Sequence, residues 1–321
     1  MADFDYIRER VKGMSVTNMI AAARHVHERS DMSTVGVLFD MTRCGFRYSA
    51  GYTDYLNCAF ETKTPAERKS TITRGVNNGY VRSMNSPELE SCFTDKRQLY
   101  ALFADYIGRD WLDLQKANAS ELKAFVGSDI KIVVRRPNAA AENGTFVLSL
   151  LGVDDYADLR ERLLNMGLSL AEKFIVQHEQ MERLCGDSVG VIRLVTVGDR
   201  IVFACLNSRY DKFSLTAPVD EASGMVTGSA VDGKNGMYHR HPLTDERFYG
   251  FRIPKWNEVT ALARSASKVL TSVQYCGWDV AVLNDRAELI DATAFPRHDY
   301  YRVCDNEKLR RKIEEGMNSL I

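Results

Sequence analysis

The spacing of apolar residues changes near Gly127, and this change constrains the fold more than any other feature of the chain. Before it, Ser15–Arg29 and Thr94–Tyr106 have apolar residues at helical spacing. After it, runs such as KIVVRRP and GTFVLSLLGV are rich in β-branched residues and flank the small polar stretch Asn138–Asn143. A helical first third, followed by strands that alternate with helices, predicts an α+β protein.

The remaining elements follow from the same signals. A helix is predicted at Asp154–Asn165, then a strand in LSLAEKFIV and a hairpin that turns at Gly198 and Asp199. The stretch Ser208–Pro254 is glycine-rich and is predicted to be irregular, which in a compact domain favours a functional loop. Downstream, the sequence predicts a helix, a second hairpin and a terminal helix: Trp256–Thr271, the strands WDVAVLN and AELIDATAF, and Asp305–Leu320.

The balance of charges excludes proteins that hold large polyanions. Forty-two Lys and Arg residues stand against forty-three Asp and Glu residues, so the formal net charge of the 321-residue chain is -1 at pH 7. Proteins that bind nucleic acids or anionic membranes normally carry a strong positive charge. We therefore expect no nucleic-acid partner and no membrane partner, and any anion that the protein binds should be small.

The cysteines and the amino terminus indicate a reducing compartment. The seven cysteines are scattered and show no CxxC spacing, which argues against a disulfide framework and against a zinc site. The first residues, MADFDYIRERVKG, are charged and contain no apolar signal region, and no run of about 18 apolar residues occurs. We expect a soluble cytoplasmic protein, and the oligomeric state is not predicted.

One hairpin carries two carboxylates at the same distance from its centre. Asp279 and Asp291 lie six residues on either side of Asp285. In a hairpin that turns there, the two carboxylates face each other on one side of the sheet. At a separation of about 5 Å they repel by roughly 3 kcal/mol at an effective dielectric constant of about 20, so the pair needs a compensating charge.

A divalent cation is one such charge. Magnesium prefers oxygen ligands and often takes only one or two carboxylates, and Thr293 adds a hydroxyl on the face of Asp291. Two alternatives stay open: the register is shifted by one residue, or Arg286 or Arg297 neutralises the pair. Spacing alone does not decide among them.

Three segments together resemble the ATP-grasp superfamily: the hairpin around Asp285, the run EKFI at Glu172–Ile175 and the pair DK at Asp95–Lys96. The resemblance is closest to the branch called sugar-transfer associated ATP-grasp, which is related to α-L-glutamate ligases, and it extends over roughly residues 35 to 300. It implies an ATP-grasp fold, in which two α+β lobes clasp a nucleotide, with a helical region at the amino terminus. The implied parts are a helical and substrate-side region, a small lobe with the hinge, and a large lobe with the metal-binding hairpin: residues 1–93, 94–177 and 178–321.

The resemblance implies that ATP and Mg²⁺ are bound. Asp279, Asp291 and Thr293 would hold magnesium at the triphosphate, and family members usually have Glu and Asn at the last two of these positions. Lys96 would reach the phosphates, although in isolation it is an ordinary solvated lysine in a first helical turn. Arg136, just before a proline in VVRRP, takes the place of a family lysine that contacts the phosphates.

The hinge and one strand of the large lobe supply further implied ligands. Glu172 would bind the ribose hydroxyls, with the Lys173 carbonyl and the Ile175 amide at the adenine edge. Arg193, in SVGVIRLVT, would clamp a phosphate or an acyl phosphate. Without the resemblance, Glu172 is a strand-end carboxylate and Arg193 an arginine paired with an acid. The family's glycine-rich phosphate loop is represented here only by Gly144 in NAAAENGT.

The implied activity is that of an ATP-dependent ligase. Such an enzyme phosphorylates a small carboxylate and lets an amine, or less often another nucleophile, attack the acyl phosphate, with Arg193 and Arg136 as catalytic residues. The family association extends to cell-surface polysaccharide biosynthesis and peptide tailoring. Two alternatives stay open: a degenerate domain that binds nucleotide or a partner without turnover, and a phosphotransferase on the same scaffold.

Overall fold

The computed structural model describes residues 15–138, 144–210, 213–233 and 236–320. The α-helices, α1 to α12 in chain order, are Val16–Glu28, Thr34–Tyr48, Tyr52–Asn57, Pro65–Ser70, Arg74–Met84, Glu90–Thr94, Lys96–Leu102, Ala119–Val126, Tyr156–Asn165, Glu179–Cys185, Trp256–Ala266 and Asn306–Asn318. Short 3-10 helices lie at Phe60–Thr62, Pro87–Leu89, Ala104–Tyr106 and His298–Val303. The strands, β1 to β11, are Trp111–Asp113, Lys131–Arg135, Thr145–Ser149, Leu170–Lys173, Val191–Val197, Arg200–Tyr210, Phe213–Pro218, Ala230–Val231, Met237–Tyr238, Tyr275–Val282 and Ala287–Thr293. Within the described ranges, no helix combines the length and the apolar character that crossing a membrane requires.

The chain divides into two compact units. Of the described residues, those within 1–80 and 297–312 form the first unit, and those within 81–296 and 313–321 form the second unit. The lobe limits at residues 93 and 177 that the sequence suggests stay a prediction.

The first unit is built from helices whose starts are fixed by local capping. Ser15 caps α1, and Thr64 and Glu67 form a reciprocal capping box at the start of α4. The apolar faces of α1, α2 and α3 meet around the fully buried rings of Tyr55 and Phe60, whose centroids are 5.8 Å apart. This unit thus has an apolar core of its own.

The second unit contains two antiparallel sheets. The small sheet has the strand order β1-β4-β2-β3, and the large sheet has the order β11-β10-β5-β6-β7-β8-β9. One face of the small sheet packs against α8 and α9 in an apolar core that includes Leu122, Ile132 and Leu163. In the core of the large sheet, the Trp278 ring makes an edge-to-face contact with Phe103. The predicted α+β fold class is confirmed.

Both predicted hairpins are present in the large sheet. Val197 pairs with Arg200 across the turn at Gly198, whose φ of 59° is one that glycine adopts without strain. In the second hairpin Asp279 pairs with Asp291, as their spacing predicted. The pairing also contains a β-bulge next to these carboxylates, which the spacing does not reveal.

Part of the glycine-rich stretch is more regular than the sequence predicted. The expectation of an irregular Ser208–Pro254 is wrong at its start, because β6 continues to Tyr210 and β7 follows at Phe213–Pro218. Leu215 and Ala217 are fully buried and give β7 its apolar side. The strand pairs with β6 along its length, so its backbone groups find partners in a neighbour that local sequence does not indicate.

A buried carboxylate joins distant segments within the first unit. Asp54 Oδ1 accepts hydrogen bonds from His298 Nε2 (3.0 Å) and the Arg74 amide (3.1 Å), and Oδ2 accepts one from the Gly51 amide (2.8 Å). Burial alone would raise the pKa of Asp54, but the hydrogen bond from His298 and the one from the Gly51 amide outweigh it and hold the pKa below its ordinary value. The ionised form is therefore favoured in the folded protein.

We expect Asp54→Asn to lower the free energy of unfolding at pH 7 by about 1–3 kcal/mol. Because folding lowers the pKa of this carboxyl, its contribution is present above the unfolded pKa of about 3.9 and is lost as the pH falls through the lower folded value. Urea unfolding at pH 7 and at about pH 3 should show a difference from wild type that shrinks in acid. Asp31→Asn, at an exposed position, is the control; an equal loss at both pH values would contradict the prediction.

Candidate active site

The predicted carboxylate pair lies on one face of the large sheet. Asp279 of β10 pairs with Asp291 of β11 on one side and with Arg193 of β5 on the other. Thr293 lies two residues beyond Asp291 and therefore shares its face. The sheet thus brings together all the predicted metal ligands and one predicted catalytic arginine.

Each carboxylate of the pair has a basic partner. Arg193 binds Asp279 through two nitrogens, Nε to Oδ1 and Nη2 to Oδ2, the second at 2.5 Å. Lys96 Nζ, at the start of α7, binds Asp291 Oδ1. The compensating charges therefore come from Arg193 and Lys96. The candidates that the hairpin sequence offered are engaged elsewhere: Arg286 with Asp285 and Glu288, and Arg297 with Asp299.

Burial dominates the electrostatics of this cluster. It raises the pKa of the Asp279 carboxyl above its ordinary value, and the charge and hydrogen bonds of Arg193 only partly oppose this effect. Asp291 adds a repulsive charge, which also raises the pKa of Asp279. The Thr293 hydroxyl donates to the Phe295 carbonyl (3.2 Å) and accepts from its amide (3.1 Å), so it is already engaged by the backbone.

A glycine leaves room for the arginine in this cluster. Gly277 lies on the same face as Asp279, two residues earlier in β10. A Cβ at this position would be 3.1 Å from Arg193 Nη1 and 3.1 Å from Thr293 Cγ2, which is tighter than an ordinary contact. The absence of a side chain lets the guanidinium lie across the strand and reach its carboxylate.

A second buried ion network lies between the small sheet and the large sheet. Arg109, 7% exposed, donates from Nε to Glu172 Oε2 (2.8 Å) and from Nη1 to Glu288 Oε1 (2.7 Å). The Tyr100 hydroxyl and Arg135 also contact Glu172, at 3.0 Å and 2.5 Å. Glu172 is 1% exposed, so its oxygens face these donors, and its role at a ribose stays a prediction.

Two members of the network, Arg109 and Tyr100, have raised pKa values. Burial alone would lower the pKa of Arg109, but Tyr100 and Glu172 outweigh it and raise that pKa. Burial also raises the pKa of Tyr100 well above its ordinary value. The phenol therefore keeps its proton at neutral pH and can donate it to Glu172.

Of the two adjacent arginines in VVRRP, the first lies at this network. Val133 pairs with Glu172 and Arg135 with Leu170, so residues 133 and 135 share the sheet face of Glu172. Arg136 is exposed, and its Nε donates to the Met166 carbonyl (3.3 Å). It borders an open cavity of about 390 Å³ whose lining includes Arg97, Gln115, Arg136, Pro137, Asn138, Gly167 and Ser169. The phosphate role of Arg136 stays a prediction.

The predicted hinge follows β4 and borders an apolar surface. Lys173 Nζ binds Asp129 (2.6 Å), and the Lys173 amide donates to the Asp110 carbonyl (3.0 Å). The half-buried Ile175 lies beyond the strand, and its amide has no backbone acceptor among the described residues. On the face of Glu172, Val133 pairs with Val147, which is 60% exposed. A flat ring could lie on these side chains.

Sequence reasoning missed several members of the buried network, for different reasons. The alternation of side chains along β2 could have identified Arg135, and not Arg136, as the arginine on the face of Glu172. Glu288 could not be found in this way, because alternation in AELIDAT places it on the face opposite Asp291, and only the bulge brings the two to one face. Arg109 lies between elements and has no periodic signal. Of the predicted phosphate loop, residues 139–143 lie outside the described residues.

A family model supplies independent information about the segment that contains this site. Residues 164–314 match the family described as sugar-transfer associated ATP-grasp. This match confirms the predicted resemblance over residues 164–314, and its extension to residues 35–163 stays a prediction. The segment matched by the ATP-grasp family model includes β4, the predicted hinge and the described strands of the large sheet, with Arg193, Asp279 and Asp291.

The solved structures that this chain matches include two ligases and a synthetase. The ATP-grasp ligase PsnB complexed with a minimal precursor is 14% identical, with 78% of this chain and 71% of that chain covered and a TM-score of 0.45. D-alanine--D-alanine ligase from Bacillus anthracis is 13% identical, with 76% and 75% covered and a TM-score of 0.45. The ADP complex of PurK, N5-carboxyaminoimidazole ribonucleotide synthetase, is 11% identical, with 65% and 46% covered and a TM-score of 0.40. No curated protein sequence matches the chain.

We expect Glu172→Gln to lower the free energy of unfolding by about 3–5 kcal/mol, because it leaves Arg109 and Arg135 short of a buried counter-charge. Urea denaturation followed by circular dichroism measures the loss. The matched control is Glu179→Gln, a carboxylate that is 74% exposed and should change the value by no more than about 0.5 kcal/mol. Similar small losses in both variants would show that the network does not stabilise the fold.

Proposed function

We propose that this protein is an ATP-dependent ligase that joins a small carboxylate to an amine through an acyl phosphate. The observation that carries the proposal is the direct pairing of Asp279 with Asp291 inside the ATP-grasp segment, with Lys96 and Arg193 in contact with them. Two opposed carboxylates are costly to keep together without cations. Because Asp279 and Asp291 share one face, this face favours the binding of cations, and a metal ion could replace the present basic partners.

The donor set of this face fits magnesium. Two carboxylates supply hard oxygen ligands, and magnesium commonly takes one or two of them, with water and phosphate oxygens as the remainder. Thr293 is the weaker third donor, because its hydroxyl is engaged by Phe295. Asp279 and Asp291 would therefore hold the ion, which when bound would neutralise phosphate charge.

In this proposal Lys96 and Arg193 change partners when the substrates bind. Lys96 binds Asp291, so a cation at that carboxylate would free the ammonium group to bind phosphate oxygens. Arg193 has a planar fork that suits a phosphoryl group or the developing charge of an acyl phosphate. In this proposal the residues contribute positioning and charge neutralisation, which supply most of the catalysis in phosphoryl transfer.

The hinge surface supports a nucleoside site next to this face. Val133 and Val147 offer an apolar surface for a base, and the Ile175 amide is available to its edge. Glu172 would bind a ribose only by giving up one of its present donors. The Lys173 carbonyl is the remaining proposed contact of the base.

We also propose which substrates the protein uses and where in the cell it acts. The substrates would be a small carboxylate and an amine, and the sugar transfer in the description of the matching family supports a role in polysaccharide biosynthesis. The near-neutral net charge supports small-molecule partners over nucleic acid. A cytoplasmic location is part of the same proposal.

A second candidate is a domain that binds nucleotide without turnover. It is favoured by the two-nitrogen contact of Arg193 with Asp279, which occupies the first metal ligand. ADP release that requires both a carboxylate and an amine would support the ligase. Nucleotide binding without ADP across a broad substrate screen would support this second candidate.

We expect Asp279→Asn to reduce magnesium-dependent ATP consumption by roughly a hundredfold or more, because one anionic ligand of the ion is lost. ADP release measures the effect, and near-ultraviolet circular dichroism checks that the fold is kept. Asp285→Asn, in the exposed turn of the same hairpin, is the matched control and should retain wild-type consumption. Unchanged consumption in Asp279→Asn would remove Asp279 from the mechanism.

We expect Lys96→Met to raise the affinity for a metal ion and to lower the affinity for nucleotide. Asp291 would lose its basic partner, so Mn²⁺ alone should bind roughly tenfold more tightly, whereas a non-hydrolysable ATP analogue should bind roughly tenfold more weakly. Isothermal titration calorimetry measures both affinities, with Lys116→Met, at an exposed position, as the control. Equal Mn²⁺ affinities in variant and wild type would contradict partner exchange at Asp291.

A further inference from the structure

The hairpin of β10 and β11 contains one extra residue. Asp279 pairs with Asp291, but the next pair is Val280 with Leu289, so Ile290 has no partner across the hairpin. Side chains alternate between the two faces of a strand, so one extra residue shifts the phase of β11. Without the bulge, the pairing of Val280 with Leu289 would continue as Asp279 with Ile290. Asp291 would then lie on the opposite face.

The backbone of this bulge is bound by Arg109, which belongs to the loop before β1. Its Nη1 donates to the Leu289 carbonyl (3.0 Å), and its Nη2 donates to the Ile290 carbonyl (3.5 Å). These are the carbonyls of the extra residue and of the residue before it. Nη1 also binds the Glu288 carboxylate (2.7 Å). The Arg109 side chain is 4% exposed, so water does not compete for these bonds.

The same guanidinium binds the hinge side of the site. Its Nε donates to Glu172 Oε2 (2.8 Å), and its Nη2 donates to the Tyr100 hydroxyl (2.7 Å). One planar group therefore joins β11, β4 and α7. A lysine could not replace it, because an ammonium group is a single point with three donors, whereas the guanidinium has five donors in a fixed plane.

We propose that Arg109 is a positioning residue that holds the bulge and thereby keeps Asp291 opposite Asp279. Its effect on metal binding rests on the proposed function, whereas its effect on the strand register does not. The alternative is that Arg109 serves only as a counter-charge for Glu172 and Glu288. In that case any buried cation at this position would suffice.

The first test is Arg109→Lys, which keeps the positive charge and removes the planar guanidinium with its five donors. Hydrogen exchange measured by mass spectrometry should become roughly tenfold faster in residues 287–293, because bonds from a charged donor to the bulge are lost. Exchange in β6 should stay as in wild type. With a non-hydrolysable ATP analogue present, Mn²⁺ should bind roughly tenfold more weakly, as is typical when a residue that orients a metal ligand is removed.

Arg286→Lys is the matched control. Arg286 lies in the same hairpin and binds Glu288 (3.1 Å), but its other partners are Asp285 and the Gly108 carbonyl. We expect this variant to exchange and to bind Mn²⁺ as wild type does. Wild-type exchange and Mn²⁺ affinity in Arg109→Lys would overturn the proposal and leave only the counter-charge role.

A second variant covers the case in which Arg109→Lys does not fold. Deletion of Ile290 removes the extra residue, so that regular pairing by itself places Asp291 opposite Asp279. We expect the deletion combined with Arg109→Lys to recover folding and slow exchange in the hairpin. No recovery would overturn the proposal.

Different outcomes would contradict the proposed function and the positioning role of Arg109. If wild-type protein bound no Mn²⁺ with the nucleotide analogue, the proposed function would fail, and hydrogen exchange would still decide whether Arg109 holds the bulge. If wild type bound Mn²⁺ and Arg109→Lys bound it equally well with unchanged exchange, the positioning role alone would fail.

Discussion

The second unit depends on the mutual neutralisation of charges that lie in its interior. Four basic and four acidic side chains take part: Lys96, Arg109, Arg135, Arg193, Glu172, Asp279, Glu288 and Asp291. Removing one partner from a buried ion pair typically costs about 3–5 kcal/mol, because it leaves an uncompensated charge. The strands and α7 must therefore be positioned so that every charge meets an opposite one, and this requirement fixes the geometry of the site.

This neutrality also suits the proposed chemistry. If Asp279 and Asp291 held a dication that accompanies a polyphosphate, Lys96 would exchange Asp291 for a phosphate oxygen. The net charge of the buried region then changes little, so the exchange avoids the large cost of burying an unpaired ion. In the second candidate function, Arg193 would keep its contact with Asp279.

Local sequence was sufficient for most elements and for part of the site. The hairpins at Gly198 and Asp285 and the helices at Asp154–Asn165 and Asp305–Leu320 are present within a few residues of the predicted limits, because periodicity and capping are short-range effects. The strand β7 was missed, since its stability comes from pairing with β6. The facing of Asp279 and Asp291 was predicted from equal spacing, yet the observed pairing also requires a bulge that spacing cannot reveal.

The sequence by itself determined the fold class, the carboxylate pair and the resemblance to the sugar-transfer associated ATP-grasp family. Tertiary structure decided which cations face those carboxylates, because Lys96 and Asp291 are far apart in the chain and meet only when α7 lies against β11. Tertiary structure also brought Arg109, from the loop before β1, into contact with Glu288 and with the Leu289 carbonyl at the bulge. Contacts of this kind depend on how sheets and helices pack in three dimensions, and the periodicity of a single segment carries no information about them.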